Sequence, residues 1–134
     1  MDRSQRIALD LLPSLSKYID MEPIRGDVLR GHLETMILSA LERGDAHGFE
    51  VLRRLDDAGC GALRLKEGSL YPALYRLEGS GLIRGEWEDG QSTRRGPRRR
   101  IYRLTKKGTG KLVEGREEWR RFVTIIGGIL GASA

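Results

Sequence analysis

Between Gln91 and Lys107 the chain reads QSTRRGPRRRIYRLTKK. Arg94, Arg95, Arg98, Arg99, Arg100, Arg103, Lys106 and Lys107 are eight of its 24 Lys and Arg residues, and no acid interrupts them. Like charges held this close repel one another, so a negatively charged partner is needed to repay the cost. The chemistry on offer is contact with a phosphate backbone. Four of the arginines, Arg94, Arg95, Arg98 and Arg99, flank Gly96-Pro97. Glycine there lets the tip approach a backbone closely, and proline limits the entropy lost on ordering it. A solvated basic loop is the plainer reading of the same residues. If about six phosphates are neutralised per monomer, log affinity falls with log salt at a slope near −5.

Other constellations point away from catalysis. His32, His47 and Cys60 lie on different segments and make no metal-binding spacing. Cys60 has no resolving cysteine, so it reads as structural or incidental rather than as a redox sensor. Gly108-Thr109-Gly110-Lys111 lacks the full spacing and the strand-then-Gly-rich order of a phosphate loop. No nucleophile stands in a recognisable signature. The sequence therefore predicts no enzyme, no metal and no cofactor.

The elements that must carry the basic run follow from periodicity. Ala8, Leu11, Leu12 and Leu15 recur at helical spacing around Pro13, predicting one bent or two short helices between Arg6 and Tyr18. Leu29, Leu33, Met36, Ile37, Ala40 and Leu41 form an amphipathic stripe that ends at Gly44-Asp45. A further helix is expected with Phe49, Leu52 and Leu55 inward, then a brief strand over Arg64-Leu65-Lys66. Ser69 is read as the cap of the next helix, with Pro72 in its first turn and Leu70, Leu74 and Leu77 inward. Residues 82–88 alternate, with Ile83 and Trp87 on one side, and Trp87 is assigned to the hairpin core. After the Asp89-Gly90 turn and the arginine tip, residues 100–104 alternate again with Tyr102 and Leu104 inward. Arg100 and Arg103 are expected to pair with Glu86 or Glu88 across the hairpin. Thr105 then caps a helix to about Ile126, with Leu112, Trp119, Val123 and Ile126 on one face.

The chain's 134 residues suit one domain with an arm at each end, and 39% hydrophobic residues suffice for a small core that oligomerisation would complete. A formal charge of +5 fits a nucleic-acid or anionic-membrane partner. One cysteine excludes an internal disulfide and points to the reducing cytoplasm. No secretory signal is visible, and residues 123–134 are too short to span a bilayer. A soluble cytoplasmic protein without a membrane role is expected.

Three helices followed by a hairpin is the winged helix-turn-helix order, in which the third helix enters the major groove and the hairpin loop touches backbone or minor groove. The fold class expected is mainly α with a small β-hairpin: a helical extension over residues 1–25, a winged helix-turn-helix over 26–104, and a C-terminal dimerisation helix and tail over 105–134. Within this order, LRGHLETMILSAL, HGFEVLRRL, EGSLYPALYRLEGSGLI, Trp87, PRRRIYRLTKKG and Trp119 resemble the PadR family of transcriptional regulators. The resemblance covers about two-thirds of the chain. It implies a homodimeric repressor on double-stranded DNA with an inverted-repeat operator. It also implies dimerisation through the last helix, with a flat aromatic effector near the interface in some members. Residues 1–25 depart from the compact family pattern.

On the third helix, Ser69, Pro72, Tyr75 and Arg76 lie opposite the leucines, and Tyr71 on the flank. Ser69, Pro72, Tyr75 and Arg76 are candidates for DNA contact, Arg76 through phosphate or a guanine edge. Tyr71 fits core and DNA contact equally. Leu112, Trp119, Phe122, Val123 and Ile126 are the candidate dimer surface, and Trp119 is also a candidate effector contact. Two other readings remain at this stage: a winged protein-interaction module facing acidic proteins, and an aromatic-ligand-binding protein without an operator.

Overall fold

The computed structural model describes residues 24, 26–29, 31–89 and 98–132. The helices expected between Arg6 and Tyr18, and the wing tip with Arg94 and Arg95, lie outside the described residues. The elements are α1 (Gly26–Leu29), α2 (Leu33–Glu42), β1 (Ala46–His47), α3 (Gly48–Ala58), α4 (Glu67–Gly79), β2 (Ile83–Trp87), β3 (Arg100–Leu104) and α5 (Lys106–Leu130).

The stripe expected to run unbroken from Leu29 to Leu41 is divided. Leu29 ends α1, and the His32 N–H bonds back to the Leu29 carbonyl at 2.8 Å. Gly31, a poor helix former, occupies the turn. The apolar side of α2 is then buried through Leu33, Ile37, Leu38, Ala40 and Leu41.

Helix α3 turns a different face inward from the one expected. Gly48, Val51 and Leu55 are its buried residues, Leu52 is half-buried, and Phe49 is 58% exposed. Close packing sets this rotation: a Cβ on Gly48 would meet the Tyr71 ring at 2.7–2.9 Å, so only glycine lets α4's tyrosine lie there. His47 caps α3, its Nδ1 accepting the Glu50 N–H at 3.1 Å.

Helix α4 begins two residues before the expected cap. Its N-cap is Lys66, and the Ser69 and Leu70 N–H groups both donate to the Lys66 carbonyl. Pro72 consequently lies inside the helix rather than in its first turn. It has no N–H for the Gly68 carbonyl, but Gly68 is exposed and that carbonyl is within reach of solvent. The strand expected over Arg64-Leu65-Lys66 is absent, because Arg64 adopts a left-handed conformation with φ 46° that breaks an extended run.

The sheet has three antiparallel strands in the order β1-β3-β2. Its third strand is β1, two residues long, with Ala46 opposite Tyr102 and His47 opposite Ile101. In the hairpin proper, Ile83 faces Leu104 and Trp87 faces Arg100. Ile83 and Tyr102 enter the core, as their alternation predicts. Trp87 does not: it is 59% exposed at the loop end of the hairpin, with the Arg100 guanidinium 5.2 Å from its ring centroid.

One apolar core joins α2, α3, α4, the sheet and the start of α5, with Ile37, Val51, Leu70, Leu74, Leu77, Ile83 and Leu112 among its fully buried residues. Thr105 caps α5, accepting the Gly108 N–H at 3.0 Å, and the helix runs to Leu130, where Gly131 at φ 72° closes it. Two features hold α5 to α2. Gly115 sits against Thr35 with no space for a Cβ, and Arg116 makes a two-pronged bond to Glu42 at 2.8 and 3.1 Å.

The Arg116 hydrogen bond holds the Glu42 carboxyl below the ordinary carboxylate range, against a smaller opposing effect of desolvation. A depressed folded pKa contributes stability that is present above the ordinary Glu value and lost as pH falls through the depressed one. Both side chains are partly exposed, so the contribution is small. We expect Glu42→Gln to flatten the acid limb of a plot of unfolding midpoint against pH. An unchanged acid limb would show that the clamp is screened out by solvent.

Candidate nucleic-acid interface

Helix α4 is divided cleanly. Leu70, Ala73, Leu74 and Leu77 are buried, which fixes the helix against α2 and α3. Ser69, Pro72, Tyr75 and Arg76 lie on the outer side and are all exposed, Tyr75 at 81%. The structure therefore brings these four together on one solvent face. Tyr71 packs its ring edge on Gly48 while 43% of the residue remains open. Arg76 donates from Nε to Glu34 of α2 at 3.0 Å.

The basic run separates into distinct parts. Arg98 bonds the Glu88 carbonyl through Nε and Nη2 at 3.2 and 3.0 Å, tying the two sides of the wing base together. Arg99 places Nη1 3.0 Å from His47 Nε2, beside the start of α3. Arg100 and Arg103 do not pair across the hairpin as expected. Arg100 shares the inner face of β3 with Tyr102 and reaches Glu78 of α4, and that bond raises the guanidinium pKa further. Arg103, on the other face, bonds Asp45 at 3.0 Å. Register explains the change: Arg84 lies opposite Arg103, and Arg84 takes Glu86, its neighbour on the same strand, at 3.1 Å. Among the described residues of the run, Arg100 and Arg103 are thus neutralised within the fold.

The far end of α5 presents a different surface. Trp119 is 50% exposed, meets His32 edge-on at 5.1 Å and stacks on Phe122 at 5.7 Å. With Val28, Met36 and Leu112 these rings line a groove of about 820 Å³ between α2 and α5. Phe122, Ile125, Ile126, Ile129 and Leu130 continue as exposed apolar residues, and Val123 is half-buried beside them. Leu112 does not belong to that outer surface. It is fully buried in the core of its own chain, because its early position on α5 lies under the sheet and α2.

Sequence reasoning missed Glu34, Asp45 and His47, the partners of Arg76, Arg103 and Arg99. Asp45 and Glu34 act across 58 and 42 residues of chain, which no local pattern records. His47 is an unusual capping residue, although Glu50 three positions on is the companion that a cap often has.

Residues 37–114 match the model of the transcriptional regulator PadR-like family. The chain belongs to the PadR family. This PadR-family transcriptional regulator is similar to a solved transcriptional regulator from Clostridium thermocellum, at 32% identity and a TM-score of 0.70 over 78% of this chain and 96% of that one. It is also similar to a PadR family transcription regulator from Clostridium difficile, at 33% identity and a TM-score of 0.65 over 75% and 99%. Among curated proteins, a transcriptional regulator of Escherichia coli is 31% identical over 66% of this chain, which spans only 39% of that relative's length. The winged-helix fold expected from the element order is borne out, with β1 as its third strand. Among the described residues, no helix is long and apolar enough to cross a membrane.

Proposed function

We propose that this PadR-family regulator is a homodimeric, sequence-specific repressor of the cytoplasm that binds an inverted-repeat operator in double-stranded DNA. The observation carrying this reading is the outer face of α4. A helix whose inner side is wholly buried keeps two tyrosines, a serine and an arginine turned to solvent, and Tyr75 has no packing role there. Exposed donors on a rigid helix suit base edges in a major groove. The wing, with Arg94, Arg95, Arg98 and Arg99, supplies phosphate or minor-groove contact. Residues 26–104 act as the DNA-binding unit, 105–134 as the dimerisation helix, and 1–25 as an appended segment. No catalytic step is part of this function.

The test is protection mapping of the chain on its own promoter region at near-physiological salt. Paired half-sites about one helical turn or more apart would support the reading. Equal affinity for promoter and random duplex would sink it.

Dimerisation is supported by Trp119, Phe122, Val123 and Ile126 together with Ile125 and Ile129, an apolar stripe too long for one terminal helix to hide. We expect the double substitution Ile125→Asp and Ile129→Asp to convert a dimer to a monomer in sedimentation velocity, with the fold retained because both residues are exposed. The α2–α5 groove favours one addition: a planar aromatic effector stacking on Trp119. Quenching of Trp119 fluorescence, retained in a Trp87→Phe background, reports its binding.

A further inference from the structure

The acid that meets the reading helix is Glu34, on α2. Its carboxylate accepts from Arg76 Nε at 3.0 Å, and both side chains are about half exposed. An ion pair this open adds little to stability, so fold maintenance does not explain it. Geometry offers another role. Nε is the atom engaged, which leaves the two terminal nitrogens of the guanidinium for the O6 and N7 acceptors of a guanine. Arginine otherwise has many rotamers to lose on binding, and a fixed side chain loses fewer.

The carboxylate is itself well placed. Glu34 stands in the first turn of α2, and Leu33, Ile37 and Leu38 anchor that helix in the core. From behind, α2 is clamped by α5 through Thr35 against Gly115 and Glu42 against Arg116. Water leaves the pair when DNA docks, and the attraction between the charges then strengthens.

We propose that Glu34 is a positioning residue for sequence recognition: it orients Arg76 so that one guanine per half-site is distinguished from the other bases. The inference rests on the proposed DNA contact of α4. Glu34 needs no contact with DNA itself. Its negative charge lowers affinity for phosphate in general, so it trades grip for choice.

The experiment starts from duplexes enriched out of a randomised pool by the wild-type full-length chain. Affinity is then measured for the enriched duplex and for single-base variants of it, with wild type, Glu34→Ala, Glu34→Gln, Arg76→Ala and the double alanine variant. Glu34→Ala is expected to lose about tenfold discrimination at one base pair per half-site, while binding to unrelated duplex is unchanged or tighter. Glu34→Gln, which keeps an acceptor oxygen, should recover most of that discrimination. The double variant should be no less selective than Arg76→Ala alone, and unfolding midpoints should stay level across the set. If Glu34→Ala keeps the wild-type preference at every base pair, or lowers affinity for all duplexes alike, the positioning role is wrong while DNA binding stands. If the wild-type chain enriches no duplex, the DNA reading fails, and this inference with it.

Discussion

Replacing Arg94, Arg95, Arg98 and Arg99 together by alanine is expected to weaken operator binding by at least about 100-fold near physiological salt. For every phosphate no longer neutralised, the slope of log affinity against log salt should become shallower by about 0.9. The ratio of operator to random-duplex affinity should change far less, because phosphate contacts position the protein without reading bases. Splitting the four sharpens the result. Arg98 bonds the Glu88 carbonyl and Arg99 approaches His47, so changing that pair also loosens the wing base. Arg94→Ala with Arg95→Ala tests charge at the tip alone. Fluorescence anisotropy titrations at several salt concentrations would decide the matter, and an unchanged slope would mean that the arginines are merely solvated.

The second large effect concerns folding. Gly108→Ala is expected to destabilise the protein by about 3 kcal/mol, at the upper end of overpacking penalties. A Cβ at this position would overlap the Leu82 carbonyl oxygen, which is backbone and already accepts from Thr105. The crowding falls where α5 leaves the sheet, so the helix cannot dock without shifting β2. Gly110→Ala, two residues on, meets nothing within 4 Å and should stabilise by about 0.5–1 kcal/mol, the usual gain from removing glycine from an exposed helix interior. Urea unfolding of the two variants beside wild type provides the contrast. Equal midpoints for both would refute the close approach.

That contrast shows what local reading can and cannot see. Gly108 and Gly110 stand two apart in one motif, and the close approach of Leu82 and Leu104 to Gly108 makes them unequal. The burial of α4's leucines was legible, because spacing alone places Leu70, Leu74 and Leu77 on one side of a helix. So was the outer face with Ser69, Tyr75 and Arg76, since it is the complement of the first. Phe49 misled because α3 is amphipathic over a wide arc, and the Tyr71 contact on Gly48 chose which edge stays open. Trp87 misled for a related reason: alternation assigns a strand two faces, but the sheet's extent decides how far along the strand the core reaches. Leu112 shared a stripe with Trp119, yet the stripe passes from the chain's own core to its free surface within two turns.

By itself the sequence determined the order of helices and hairpin, the capping Thr105, the apolar face of α4 and the concentration of arginine at the wing. These depend on residues near one another in the chain, where periodicity and turn chemistry act. Its motifs also carried the family. Tertiary structure alone decided the partners of the charges: Arg76 with Glu34, Arg99 beside His47, Arg100 with Glu78, Arg103 with Asp45. It also decided that the fold itself consumes the charges of Arg100 and Arg103. An ion pair is a matter of distance in space, and a linear pattern holds no record of distances between residues that meet only after the chain has folded.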